Sequence, residues 1–93
     1  MTQKDIICKI EESLETNDLG EAQKWLDTAK SVSEQNATLY YLQGKVYMKR
    51  SQWSKAISCF LQAEELEPDG PAKECRLMLN DIMDFYNKDM YNQ

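Results

Sequence analysis

Slid along itself by 34 residues, the chain repeats its small and bulky apolar positions. Ala56 falls on Ala22, Phe60 on Leu26, Ala63 on Ala29, Leu66 on Val32, Trp53 on Leu19 and Tyr40 on Ile6. A period of that length accommodates two helices and a turn, so 93 residues hold two such units and part of a third. The small residues at fixed places have a physical meaning. Gly44, Ala22, Ala56, Ala29 and Ala63 stand where helices cross or where one pair stacks on the next, and larger side chains there would push the axes beyond about 8–10 Å.

Apolar periodicity says helix almost throughout. The 3 glycines and 2 prolines are few, no Asn-Gly or Asp-Gly pair marks a hairpin, and no long stretch alternates at period two. Helix one is expected over roughly Gln3 to Thr16 on Ile6, Ile7, Ile10 and Leu14. Helix two runs from about Leu19 to Val32, burying Ala22, Trp25, Leu26 and Ala29. Helix three is expected over Ala37 to Arg50 and helix four over Trp53 to Leu66. Pro68 stops the fourth, since its ring cannot continue the hydrogen-bond ladder. Helix five begins near Pro71 and continues to about Asn87 on Cys75, Met78, Leu79, Ile82, Phe85 and Tyr86. The short loops imply sequential antiparallel packing, with helices one and three, and three and five, side by side. The fold class is all-α.

In helices three and four the string Tyr40, Gly44, Tyr47, Ala56, Phe60, Ala63, Pro68 resembles the tetratricopeptide repeat. Tyr40 stands for the usual tryptophan, and Gln43 departs from the leucine that normally precedes the glycine. The first copy, residues 3–36, is degenerate: Ile10 replaces the glycine, Ser13 the tyrosine and Glu34 the proline. Residues 37–70 form the well-matched copy, 71–88 a closing helix and 89–93 a tail. The resemblance implies an α-α superhelix of antiparallel helix pairs in one domain, 1–93. Glu74 and Asp81 stand 34 residues after Tyr40 and Tyr47, so the outer face of helix five is charged, as the end of an array requires.

Charge and cysteine content narrow the function. Sixteen acidic against 11 basic side chains give a net charge of −5, unfavourable for phosphate backbones and anionic bilayers. Neither nucleic acid nor membrane is an expected partner. The opening segment has no uninterrupted apolar run of the kind a signal peptide needs, and the chain reads as soluble and cytoplasmic. Cys8, Cys59 and Cys75 include no CxxC pair, which disfavours a disulfide framework or a zinc site and points to buried or half-buried reduced thiols. The chain has no histidine to activate a serine or cysteine and no glycine-rich phosphate loop, so no enzyme, metal or cofactor is expected.

What the resemblance implies instead is a groove, formed by the first helix of each pair, that holds a peptide or helix. On helix three, Tyr41, Lys45, Met48 and Lys49 point away from the Tyr40, Gly44, Tyr47 face. Their counterparts are Ile7, Glu11, Leu14 and Glu15 on helix one, and Cys75, Leu79, Ile82 and Met83 on helix five. The candidate groove is therefore Ile7, Glu11, Tyr41, Lys45, Met48, Lys49, Arg76 and Leu79. Residues 37–55 carry Lys45, Lys49, Arg50 and Lys55 and no acid, so the expected occupant is a protein segment both acidic and apolar. The competing reading is inter-repeat packing alone, with Lys45 paired to Glu11 and Lys49 to Glu15. The carboxylate clamp of chaperone-binding relatives is incomplete: Lys45 and Arg76 fit it, but Ile7, Glu11 and Leu14 do not. Besides the adaptor, self-association through Leu77, Met90, Tyr91 and the thin first repeat remains open, as does redox use of the thiols.

Overall fold

A computed structural model of the chain describes residues 3–32 and 36–91, and for residue 32 and residues 83–91 the backbone alone. It contains five helices: α1 (Gln3–Glu15), α2 (Leu19–Val32), α3 (Ala37–Lys49), α4 (Trp53–Leu66) and α5 (Ala72–Tyr91), with no strand among the described residues. Helix α5 starts one residue after Pro71 and runs four residues beyond the expected Asn87. No helix of the described residues is long and apolar enough to cross a membrane.

The 34-residue period is visible in the backbone as well as in the side chains. Both α1 and α3 end in a left-handed residue, Asn17 at φ 63° and Ser51 at φ 62°. Around Asn17, its own N–H donates to the Leu14 carbonyl and the Asp18 N–H to the Ser13 carbonyl; around Ser51 the donors are Ser51 and Gln52, the acceptors Met48 and Tyr47. Each of these residues is displaced by 34, so the two turns are one structure used twice. The helices that follow begin differently. Asp18 Oδ1 accepts the Glu21 N–H at 3.2 Å, a side-chain cap at the start of α2, whereas Gln52 before α4 makes no side-chain cap bond. Before α3, Asn36 Oδ1 accepts from the Thr38 N–H at 2.8 Å.

Sequential helices pack against each other, and α1 also packs against α3, an all-α helical repeat arrangement. The core divides in two. Ile6, Ile10 and Leu14 of α1 meet Ala22, Leu26 and Ala29 of α2 and Leu39, Leu42 and Val46 of α3. The second cluster joins Ala56, Phe60 and Ala63 of α4 to Ala72 and Leu79 of α5, with Tyr40, Tyr41, Tyr47 and Met48 of α3 packed on it. Helix α3 serves both clusters, which is why its apolar residues spread around most of its circumference. Its closest contact is at Gly44: a Cβ there would lie 2.6 Å from the Phe60 ring.

Tyr41 and Met48 of α3 pack on the cluster that holds Leu79 of α5. Three expectations are corrected. Trp25 is half-buried, packed on the edge of the first core cluster with its Nε1 donating to Glu21 Oε1 at 3.4 Å. Met78 is 47% exposed instead of packed. Cys8 is exposed, while Cys59 and Cys75 are half-buried, and all three are free thiols. Phe85 and Tyr86, expected to be apolar contacts of helix five, lie outside the described side chains, as do Met83, Met90 and Tyr91.

Candidate partner-binding groove

The antiparallel α1–α2 pair and the α3 that follows it bring α1 and α3 side by side, and a cleft of about 320 Å³ runs between them. Its lining is Glu11, Leu14 and Glu15 from α1 and Tyr41, Leu42, Lys45 and Lys49 from α3. The buried Leu14 and Leu42 form the floor. The walls carry opposite charge, two carboxylates on α1 facing two ammonium groups on α3.

Tyr41 is the anchor of the basic wall. Its ring packs on Phe60 at a centroid distance of 5.8 Å and an angle of 47°, and Lys45 Nζ lies 5.2 Å above its centroid. That cation–π contact holds the Lys45 ammonium over an aromatic face in place of a carboxylate. Arg76 forms an ion pair with Glu64, while Lys45 and Lys49 do not close on Glu11 and Glu15. The pairing that would have made the lysines mere inter-repeat links is absent among these residues.

Of the eight residues singled out from sequence, Glu11, Tyr41, Lys45 and Lys49 line one cleft. Ile7 is half-buried and leans on the first core cluster. Met48 is half-buried against the second. Leu79 is fully buried, so it is a core residue and offers no surface to a ligand. Arg76 is turned to α4, where its Nε donates to Glu64 Oε2 at 2.7 Å and its Nη2 to Oε1 at 3.2 Å. This two-pronged hydrogen bond, aided by the charges of Arg76 and Lys73 and opposed by burial, holds the Glu64 carboxyl below the usual carboxylate range. The same hydrogen bond raises the Arg76 guanidinium's pKa further. Arg76 thus ties α4 to α5 and is not free to meet a partner in the cleft.

Sequence reasoning missed a buried amide network beside this cleft. Gln43, noted only as a departure from leucine, is 2% exposed. Its Nε2 donates to Gln23 Oε1 at 2.8 Å, and its Oε1 accepts from Gln23 Nε2 at 3.0 Å and from Lys30 Nζ at 3.1 Å. Gln23 Nε2 also donates to Asp27 Oδ1 at 3.0 Å. An amide buried with its polar atoms satisfied in this way avoids the penalty of an orphaned donor or acceptor. The available signal was Gln43 standing where the resembled repeat has leucine and Gln23 standing where the second copy has Ile57. Lys30 also acts on Cys59: burial pushes that thiol up, and the Lys30 charge partly offsets it. Among the described residues no group of acidic or thiol side chains is arranged to hold a metal ion.

Residues 37–69 match the family model described as tetratricopeptide repeat. No curated protein and no solved structure matches the chain. The matched segment is the α3–α4 pair, whose Gly44–Phe60 contact is the close helix crossing that the motif's glycine permits. The α3–α4 hairpin thus matches the tetratricopeptide repeat model, and the small all-helical structure around it is consistent with a tetratricopeptide-like protein.

Proposed function

We propose that the protein is a non-catalytic adaptor that holds a segment of another protein in the cleft between α1 and α3. A tetratricopeptide repeat is in general a protein-interaction module, and the observation that carries the finer reading is the unpaired charge across the cleft. Lys45 and Lys49 face Glu11 and Glu15 without contact, leaving both walls able to meet an incoming chain. The segment that fits carries apolar side chains over Leu14 and Leu42 and acidic side chains toward α3. Its side toward α1 is neutral or basic, because the Glu11 and Glu15 carboxylates would repel acids there. Apolar burial supplies most of the affinity, since exposed ion pairs contribute little, about 0–1 kcal/mol each. The charges set orientation and on-rate.

The test is an affinity pull-down from the source cell with the wild-type protein and with a Lys45→Glu, Lys49→Glu variant, helicity of both checked by circular dichroism. A partner captured by the wild type and lost by the folded variant supports the reading. Equal capture by both places the binding surface elsewhere.

A further inference from the structure

The outer face of α5 is not the wholly polar end that Glu74 and Asp81 suggest. Leu77 and Met78 lie between them on the same stripe of the helix, since positions i, i+3, i+4 and i+7 share a face. All four are exposed, the two apolar ones to 47% each. Large apolar side chains set side by side on an exposed helix face mark an interaction surface more often than isolated ones do.

The geometry points to a specific kind of occupant. Met78 stands 34 residues after Gly44, the position where α4 presses Phe60 to within 2.6 Å of a would-be Cβ. A methionine side chain fills that seat in α5, so a further helix bearing a phenylalanine cannot cross as closely here as α4 crosses α3. A second copy of this chain fits poorly too. An antiparallel α5–α5 contact with its two-fold axis between Leu77 and Met78 sets Glu74 of each copy opposite Asp81 of the other, like charge against like. At the opposite end of the molecule the half-buried Trp25 lies in a hollow of about 520 Å³ with Glu21, Lys24 and Thr28, where one cation set beside an acid is a poor complement for the Glu74 and Asp81 pair.

The two residues that flank the patch on its own stripe of α5, Glu74 and Asp81, are both acidic and exposed. Arg76 is neutralised by Glu64, and the charge of Lys73 is also felt at Glu64 on the α4 side. We propose that this face of α5 docks a helical segment of another protein whose apolar residues are flanked on both sides by lysine or arginine. Glu74 and Asp81 receive the flanking cations while Leu77 and Met78 receive the apolar centre. The cleft between α1 and α3 and the face of α5 then select segments of different charge, so one molecule can bridge two partners.

A synthetic helix-forming peptide with two central leucines on one face and lysines flanking them, and its twin with glutamates for the lysines, serve as probes. They are titrated into the isotope-labelled full chain and followed by amide chemical shifts. The lysine peptide is expected to shift resonances of residues 74–81 and to bind at least about tenfold more tightly than the glutamate peptide at low salt. The Glu74→Lys, Asp81→Lys variant should invert that preference, and Met78→Asp should abolish binding of both; all three positions are exposed, so the fold is retained. Equal affinity for the two peptides, shifts confined to the α1–α3 cleft, or no binding would overturn the proposal. So would a dimer in sedimentation that Met78→Asp dissociates, since a second copy would then be the occupant.

Discussion

At the scale of single residues, Gly44 and Ser51 make opposite predictions. Replacing a helical glycine by alanine ordinarily stabilises, by about 1 kcal/mol. At Gly44 the new methyl would lie 2.6 Å from the ring of Phe60, which is fully buried. Gly44→Ala should therefore destabilise by about 1–2 kcal/mol net, overpacking exceeding the propensity gain. Urea denaturation reads this directly, and a stabilised variant would mean that α4 stands farther off than described. Ser51 holds a left-handed conformation that costs a residue with a Cβ about 1–2 kcal/mol. Ser51→Gly should remove that strain and gain about 0.5–1 kcal/mol after the added flexibility of the unfolded chain is counted. A loss of stability there would contradict the repeated turn.

These two residues also show what was legible and what was not. Gly44 was readable as a close crossing because a glycine inside an apolar helical pattern has few other uses. Ser51 carried no such signal and Asn17 only a weak one, since a left-handed helix end usually selects glycine and only sometimes asparagine. The equivalence of the two turns emerges only from their hydrogen bonds. Gln43 was visible as an anomaly, but its meaning depended on Gln23 and Lys30, whose approach is set by tertiary packing and not by spacing along the chain.

Among the elements, α3 carries the most constraint and α5 departed furthest from expectation. The boundaries of the first four helices follow from periodicity, because each has an apolar stripe that ends where the chain turns. Leu79 was misassigned because the 34-residue register predicts which face a position occupies and not how deeply packing buries it, while Arg76 was placed at the groove's edge as a cation and not by the register. Leu79 accordingly closes the second core, and Arg76 swings to Glu64. That ion pair gives a pH dependence with a definite sign. Folding lowers the Glu64 pKa, so its contribution is whole above the ordinary glutamate range and is lost as pH falls through the lowered, folded-state value. Glu64→Gln should thus flatten part of the acid limb of stability against pH and leave the profile near neutrality parallel to wild type. Thermal melts at a series of pH values measure it, and an unchanged acid limb would mean that the Arg76 pair is not held in solution.

At the scale of the whole molecule, a cleft between α1 and α3 was legible in outline. Glu11, Tyr41, Lys45 and Lys49 were identified from helix geometry, and they do line one cleft. Its depth was not legible, because the floor of Leu14 and Leu42 and the Tyr41 ring on Phe60 are products of packing. Tyr41 belongs to both core clusters, so truncating it would disturb the fold along with the groove, and reversing the lysines is the cleaner intervention. The central claim is that the α3 wall of this cleft steers an acidic, apolar segment into place. The most direct measurement is the association rate of the captured partner with wild type and with Lys45→Glu, Lys49→Glu, followed by stopped flow across a range of ionic strength. Wild type should associate fastest at low salt and slow as salt rises, while the variant should associate more slowly with that dependence lost or reversed. Identical rates and identical salt dependence for the two proteins would contradict the account.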